Sequence, residues 1–284
     1  MCREQGAVLS ERVGSHRAGV LGSPIAHSLS PVLHRAAYGA LGLHDWHYDA
    51  ALVEAAGLAA HVAGLDATWR GLSLTMPLKE AAFEVASSVT ELARNTGSIN
   101  TLVRARDGWS ADNTDVHGII QALTEVGVGS VGSAVLIGSG ATARSAVAAL
   151  TRLGARRVTF MVRRAARAAT VAQARRAGLR VEEVPLGEWP PGVELVLSTA
   201  PSAATAGLAT TLPEGGRVLL DVVYAGGPTS LMTVARDKGY AVVPGTEMLL
   251  HQAGEQVRLM TGEAAPLAAM RRALLSALGA LTPS

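Results

Sequence analysis

The chain has 284 residues, of which 49% are hydrophobic and 17% are charged, and its formal net charge is +2. This composition excludes a wholly disordered chain, and the length predicts two domains of roughly 100 to 150 residues each. Aromatic residues make up only 4%. A nucleic-acid-binding protein needs a stronger basic surface and more stacking side chains, so we expect no nucleic-acid partner.

Cysteine content and the amino-terminal segment bear on where the protein works. Cys2 is the only cysteine, so the chain can form no internal disulfide and no thiolate metal cluster. We therefore expect a cytoplasmic protein without a metal site. No stretch approaches the roughly 20 apolar residues of a membrane span, and the charged residues 1–16 lack the apolar core of a signal peptide. We predict that residues 1–16 form a flexible arm.

The first half of the chain alternates between apolar strand patterns and helical patterns. Ser30 is a suitable helix cap, and Pro31 suits the first helical position. Alternation of this kind predicts an α/β domain with a mainly parallel sheet. The predicted strands are residues 18–22, 46–48 and 71–74, and the predicted helices are residues 32–41 and 53–62.

The second half alternates again after a helix over residues 116–126, which ends at the hinge-like Gly127 and Gly129. This pattern predicts a doubly wound, Rossmann-type domain over residues 116–245. The helices after Met248 have no strand left to alternate with, so we expect residues 246–284 to return to the first domain, residues 17–115. The predicted strands are residues 134–137, 158–162, 195–198, 218–222 and 241–243, and the helices are residues 143–153 and 170–177.

A glycine motif follows the first strand of the second domain and leads into a helix. Gly138 permits a tight turn, Gly140 lets the backbone approach a pyrophosphate, and Ala143 lets the helix pack close to the strand. Such a motif is typical of a dinucleotide site, and a plain tight turn is the alternative. The residues of the loop are Gly138, Ser139, Gly140, Ala141, Thr142 and Ala143.

The end of the next strand indicates which dinucleotide binds. NAD sites usually carry an acidic residue there, which binds the ribose 2′-hydroxyl. Here the strand ends in Arg163 and Arg164, and Arg167 follows one turn further. Residues 158–167 contain no Asp or Glu. Guanidinium groups suit a 2′-phosphate. The sequence thus favours NADP, although a solvated basic helix face would give the same pattern.

Polar side chains of the first domain fall in four short segments. Because ligands bind beyond the carboxyl ends of parallel strands, these segments should converge on one crevice. Lys79 is one of only two lysines among 25 basic residues. A lysine held by a carboxylate can protonate the oxygen formed when a ketone accepts a hydride, and Lys79 with Asp115 supplies such a pair. The alternative is a surface salt bridge. The segments are residues 28–30, 75–79, 100–101 and 113–115.

Several motifs in a fixed order resemble those of the shikimate dehydrogenase family, and the resemblance runs from about Arg17 to Gly262. The resemblance implies reversible, NADPH-dependent reduction of 3-dehydroshikimate to shikimate in aromatic amino-acid biosynthesis, by a monomer or homodimer. The motifs are residues 22–34 (GSPIAHSLSPVLH), 74–79 (LTMPLK), 97–101 (GSINT), 112–118 (DNTDVHG), 198–201 (STAP), 221–224 (DVVY) and 248–253 (MLLHQA).

The resemblance also implies a function for individual residues. Lys79 would be the acid or base, with Asp115 as its partner. Ser28 and Ser30 would bind the substrate carboxylate, and Tyr224 would help to close the site. The substrate ring hydroxyls would contact Thr75, Asn100, Asp115 and Gln252. The cofactor would contact the glycine loop, Arg163, Arg167, Thr199, Gly245 and Met248.

Three departures from the family pattern leave alternatives open. Ala141 replaces a glycine of the loop, Val162 replaces an asparagine before Arg163, and Glu247 brings a charge near the expected nicotinamide site. Ala141 and Glu247 are expected to affect cofactor binding. A dehydrogenase acting on quinate or an amino-substituted analogue is one alternative function. A catalytically silent, NADP-binding regulatory protein is the other.

Overall fold

The computed structural model describes residues 15–281. Most of the predicted arm, residues 1–14, lies outside the described residues. The prediction is wrong for His16, which begins the first strand and pairs with Trp46 of the second.

The first sheet has six strands in the order β2-β1-β3-β5-β6-β4. Three of its five pairings are parallel, namely β1 with β2, β1 with β3, and β4 with β6. The hairpin of β5 and β6 was not predicted, and its antiparallel pairings make the sheet mixed. The strands are β1 (His16–Gly22), β2 (Trp46–Leu52), β3 (Trp69–Leu74), β4 (Ser88–Val89), β5 (Thr101–Ala105) and β6 (Gly108–Asp112).

Helices connect the strands of this sheet, and two of them differ from prediction. Leu29, not Ser30, occupies the cap position of α1, and no side chain caps this helix, so the predicted cap is wrong. The second helix begins only at Leu58, because residues 55–57 form a 3₁₀ turn that ends at Gly57, a poor helix former. The helices are α1 (Ser30–Leu41), α2 (Leu58–Ala63), α3 (Leu78–Ala81) and α4 (Glu91–Thr96).

The second sheet is wholly parallel and has the order β12-β11-β10-β7-β8-β9. This is the strand order of the predicted Rossmann-type domain, and β9 is the one strand of it that was not predicted. The strands are β7 (Ser133–Ile137), β8 (Arg157–Val162), β9 (Arg180–Pro185), β10 (Leu195–Ser198), β11 (Val218–Asp221) and β12 (Ala241–Pro244). The helices between them are α6 (Ala141–Arg152), α7 (Ala168–Arg176), α8 (Ser202–Thr205) and α9 (Ser230–Asp237).

Three further helices complete the fold: α5 (Asp115–Glu125), α10 (Gly245–Thr261) and α11 (Leu267–Leu281). The apolar side of α5 packs in the core of the second domain through Val116 and Ile119. Helices α10 and α11 pack on α1, where Leu250 and Met270 share a buried cluster with Leu33. This packing confirms that the C-terminal helices return to the first domain. Among the described residues no helix has the length and apolar character to cross a membrane.

Candidate active site

A cleft between the two domains brings most of the predicted site residues together. All the predicted catalytic and substrate-binding residues line it, as do three of the predicted cofactor-binding residues. The catalytic and substrate-binding group is Ser28, Ser30, Thr75, Lys79, Asn100, Asp115, Tyr224 and Gln252, and the cofactor-binding group is Thr142, Gly245 and Met248.

Lys79 and Asp115 form a buried ion pair in this cleft. Lys79 Nζ donates to Asp115 Oδ2 at 2.5 Å, and the two side chains are only 14% and 5% exposed. Helix α3 carries the lysine, and the N–H of Ile99 donates to the Lys79 carbonyl at 2.8 Å. The pair is therefore not a solvated surface salt bridge, and its ammonium is held at a defined position in the cleft.

Asn100 holds the other oxygen of the same carboxylate. Its Nδ2 donates to Asp115 Oδ1 at 2.8 Å, to Thr114 Oγ1 at 2.9 Å and to Gln252 Oε1 at 3.3 Å. Asn100 is 2% exposed. Both carboxylate oxygens thus have a donor, which fixes the plane of the Asp115 carboxylate beside Lys79.

The unpredicted hairpin explains why these residues meet. Asn100 precedes β5 and Asn113 follows β6, and Thr101 pairs with Asp112 across the two strands. The Asn100 N–H donates to the Asp112 carbonyl at 3.1 Å. Asn113 then accepts from the N–H of Asp115 at 3.1 Å, at the start of α5. Antiparallel pairing therefore brings the two Asn-Thr segments to the same edge of the sheet.

The loop after β11 forms another wall of the cleft, through Val222 and Tyr224. Buried Asp221 organises this loop by accepting from the N–H of Val223 at 3.2 Å and from Thr229 Oγ1 at 2.9 Å. Burial raises the pKa of Asp221, although these hydrogen bonds oppose the shift, and burial also raises the pKa of Tyr224. On the opposite wall, Ser28 Oγ accepts from the N–H of Ser30 at 3.4 Å.

The glycine loop has the geometry of a phosphate-binding turn. Gly138 has a φ of +97°, and an added Cβ there would lie 2.8 Å from Thr199 Oγ1, so a side chain would be strained and crowded. An added Cβ at Gly140 would meet nothing within 4 Å. Helix α6 begins at Ala141 without a side-chain cap, which leaves the amide groups of its first turn for an anion. Ala143 is fully buried.

The predicted phosphate-binding arginines do not lie together. Arg163 and Arg164 line a second cleft with Gly138 and Ser139, at the carboxyl end of β8. Arg167 does not line this cleft, and its backbone N–H donates to Ser139 Oγ at 3.1 Å. Its guanidinium lies 3.9 Å from Glu80 Oε1 across the interdomain gap.

Glu247 does not place its charge in the active-site cleft, contrary to expectation. Its Oε2 accepts from the Arg271 guanidinium at 2.7 Å, and the same guanidinium donates to Glu125 Oε2 at 2.6 Å. Glu125, Glu247 and His251 bring three potential metal-ligand atoms within 4.8 Å of one another. Since Arg271 bonds both carboxylates, the cluster is a network of ion pairs joining α5, α10 and α11.

Sequence reasoning missed Arg144, which joins the two domains next to the site. This α6 side chain is buried and donates to the carbonyls of Thr96 and Gly97 at 2.6 and 2.9 Å, and to Glu80 Oε1 at 2.6 Å. An arginine among the alanines of a predicted helix was the available signal. Such a residue either faces solvent or reaches a specific set of acceptors.

Comparisons with known proteins agree with this geometry. Residues 20–102 match the family model described as the shikimate dehydrogenase substrate binding domain. Residues 245–275 match the shikimate 5'-dehydrogenase C-terminal domain. The chain is 37% identical over 269 residues to the shikimate dehydrogenase (NADP(+)) of Rubrobacter xylanophilus. The alignment covers 90% of this chain and 94% of that protein.

Solved structures extend the likeness to the whole fold. The shikimate dehydrogenase of Mycobacterium tuberculosis is 44% identical with a TM-score of 0.85, covering 92% of this chain and 99% of that one. The shikimate 5-dehydrogenase of Thermus thermophilus in complex with NADP(H) and shikimate is 30% identical with a TM-score of 0.81, covering 92% and 99%. With identities of 30% to 44% over nine tenths of its length, the chain belongs to the shikimate dehydrogenase family.

Proposed function

We propose that this chain is an NADP-dependent shikimate dehydrogenase that catalyses the reversible reduction of 3-dehydroshikimate to shikimate. One observation carries the proposal: the Lys79–Asp115 pair lines the same cleft as Thr142 of the nucleotide-binding domain and as Gly245 and Met248 at the start of α10. A proton donor held across from the nucleotide-binding face is what a hydride transfer to a ketone requires.

The substrate is held by the wall that carries Lys79. Ser28 and Ser30 bind the carboxylate of the ring. Thr75, Asn100, Asp115 and Gln252 bind its hydroxyl groups, and the loop that carries Tyr224 closes over it. Support comes from their common position, since all of these residues line one cleft. Hydrogen-bonding groups at fixed positions reject analogues that lack the matching hydroxyl, because such analogues leave buried groups unpaired.

Lys79 is the general acid of the reduction and the general base of the oxidation. During reduction its ammonium donates a proton to the oxygen formed at the reacting carbon, and during oxidation the neutral amine removes the hydroxyl proton. Asp115 holds the ammonium in place through the 2.5 Å contact. Burial of both side chains strengthens this interaction, because solvent screening is weak there.

The glycine loop and the end of β8 hold the dinucleotide, which supplies the hydride when bound as NADPH. The open space at Gly140 and the uncapped start of α6 fit a pyrophosphate. Arg163 provides a guanidinium for the 2′-phosphate, since it is exposed and lines the second cleft. Thr199 and Ala143 shape the turn.

Compartment and assembly complete the proposal. A single cysteine, Cys2, is consistent with a reducing cytoplasm. We expect the enzyme to act as a monomer or homodimer, because each chain carries a complete cleft. Analytical ultracentrifugation measures the assembly state directly.

A substrate panel tests the function. Initial rates of NADP⁺ and NAD⁺ reduction are measured with shikimate, quinate and an amino-substituted shikimate. We expect the highest kcat/KM for shikimate with NADP⁺. A higher value for quinate or the amino analogue would assign the chain to a paralogue with that substrate. Calorimetric NADP⁺ binding without turnover of any substrate would indicate a silent binding protein.

A further inference from the structure

The side-chain amide of Asn100 can be placed in two orientations, and only one serves the site. Its nitrogen end now donates to Asp115 Oδ1 at 2.8 Å. The reversed amide would put a carbonyl oxygen against the carboxylate, which removes a hydrogen bond and adds repulsion. The orientation of this amide therefore matters for the pair formed by Asp115 and Lys79, the charged group in contact with that carboxylate.

Three donors lie at the oxygen end of the amide. The backbone N–H of Thr114 donates to Asn100 Oδ1 at 2.8 Å, Thr101 Oγ1 donates to the same oxygen at 2.7 Å, and Thr114 Oγ1 is the most distant donor at 3.2 Å. The backbone group can only donate. The Thr101 hydroxyl has a single proton and can either donate or accept, so its direction depends on its other neighbours.

Gln256 sets the direction of the Thr101 hydroxyl. Gln256 Nε2 donates to Thr101 Oγ1 at 3.0 Å and to the Asn100 backbone carbonyl at 3.2 Å. Because Thr101 accepts from this amide, its own proton is left for Asn100 Oδ1 at 2.7 Å or for Thr114 Oγ1 at 3.3 Å. The shorter contact directs the proton to Asn100.

A buried polar chain in turn holds Gln256. Its Oε1 accepts from Ser73 Oγ at 2.7 Å and from His34 Nε2 at 3.3 Å, and Tyr48 OH donates to Ser73 at 2.6 Å. Burial lowers the pKa of His34 to about 3, with an opposing contribution from its hydrogen bond to Gln256. The imidazole is therefore neutral, and of its two tautomers the one protonated at Nε2 donates to Gln256 Oε1. In this chain of hydrogen bonds, each donor therefore points to the next residue on the path to Asn100.

We propose that Thr101 is a positioning residue whose hydroxyl fixes the Asn100 amide in the orientation that donates to Asp115. The proposal rests on the proposed function, because Asp115 is the partner of the acid–base lysine. Thr101 itself is fully buried, so it acts through Asn100 and not by touching the substrate. Replacing the hydroxyl changes the active site without changing its lining.

Three variants of Thr101 test this proposal in steady-state assays. Thr101→Val keeps the shape but removes the proton donor, and we expect kcat for shikimate oxidation to fall roughly 10- to 100-fold. The KM for shikimate rises, while the KM for NADP⁺ stays within about twofold. Thr101→Ser restores the donor, so its kcat should stay within about threefold of wild type. Thr101→Ala serves if the valine variant does not fold.

Amide resonances provide a readout that a purely structural change would not move. The chain has three asparagines, Asn95, Asn100 and Asn113, so selective side-chain ¹⁵N labelling gives three NH₂ groups. We expect the Asn100 group to shift and exchange faster in Thr101→Val but not in Thr101→Ser. Wild-type kinetics together with an unchanged Asn100 signal in Thr101→Val would overturn the proposal. Absence of shikimate turnover in the wild type would instead reject the proposed function, and the resonances would still report on Thr101.

Discussion

The Arg144 guanidinium lies 2.6 Å from the carboxylate of Glu80, the residue that follows Lys79. Arg144 belongs to α6 of the nucleotide-binding domain, whereas Glu80 belongs to α3 of the other. The same guanidinium caps the end of α4 through the carbonyls of Thr96 and Gly97. The two domains are therefore joined directly beside Lys79, the proposed acid–base residue.

Replacing Arg144 tests which of these contacts matters for stability. Arg144→Ala leaves two backbone carbonyls without their donor, and we expect the free energy of unfolding to fall by about 2 kcal/mol. Glu80 is 56% exposed, so Glu80→Gln should cost less than about 1 kcal/mol. Urea denaturation of both variants measures the difference. Equal losses would show that the carboxylate, and not the α4 carbonyls, is the main partner.

Lys79→Ala tests the proton donor. We expect kcat to fall by about 10² to 10⁴ while shikimate still binds, because a general acid or base contributes about that much. Lys238 is the only other lysine in the chain and bonds Glu214 and the Leu212 carbonyl. Lys238→Ala is the matched control and should keep wild-type kcat. Steady-state rates and calorimetric binding of shikimate distinguish the two effects, and full kcat in Lys79→Ala would contradict the assignment.

Arg163→Ala tests the choice of cofactor. A lost charge-assisted hydrogen bond should raise the KM for NADP⁺ roughly 10- to 100-fold, with less than about a threefold change for NAD⁺. Arg180 begins the neighbouring strand β9 and pairs with Arg157, so it lies at the amino ends of these parallel strands, whereas Arg163 follows the carboxyl end of β8. Arg180→Ala therefore controls for the loss of one exposed charge. If Arg163→Ala affected both dinucleotides equally, the arginine would not be reading the 2′-phosphate.

The buried imidazole of His34 should make the free energy of unfolding depend on pH. Burial lowers its pKa from 6.5 to about 3 in the folded chain, so between these values the unfolded chain binds more protons. The free energy of unfolding should then fall as the pH falls, by up to about 1.4 kcal/mol per pH unit. His34→Phe should give a shallower slope between about pH 6 and about pH 4. His44→Phe, at an exposed position, is the control, and denaturant titrations at each pH measure the slopes.

Burial on both faces explains which strands could be predicted. Strands β7, β8, β10, β11 and β12 appear in the sequence as short apolar runs, as expected in a covered parallel sheet, and their predicted limits lie within one residue of the structure. Strand β9 was missed because it is an edge strand that includes Arg180, Glu182 and Glu183 and is nowhere fully buried. Strand β9 forms by pairing with β8, and the composition of β9 alone does not indicate this tertiary contact.

The polar site was predicted better than the structure that assembles it. The segments containing Lys79, Asn100 and Asp115 stood out as polar residues on an apolar background, and they do meet in one cleft. The hairpin that unites them did not stand out, because cross-strand pairing is not local. Thr101 lies in one of the predicted segments, but its positioning function and the contribution of Gln256 were missed, since hydrogen-bond direction depends on neighbours far along the chain. The catalytic and binding functions of these residues remain predictions.

Asp115 is the first residue of α5, and the next residue, Val116, is already packed in the core of the nucleotide-binding domain. Helix α5 therefore begins in the first domain, where Lys79 and Asn100 hold the Asp115 carboxylate, and continues into the core of the second domain. A rotation of the second domain against the first would act on the chain at the start of this helix, one residue from the carboxylate. Because Lys79 and Asn100 both belong to the first domain, the ion pair would keep its geometry during such a rotation.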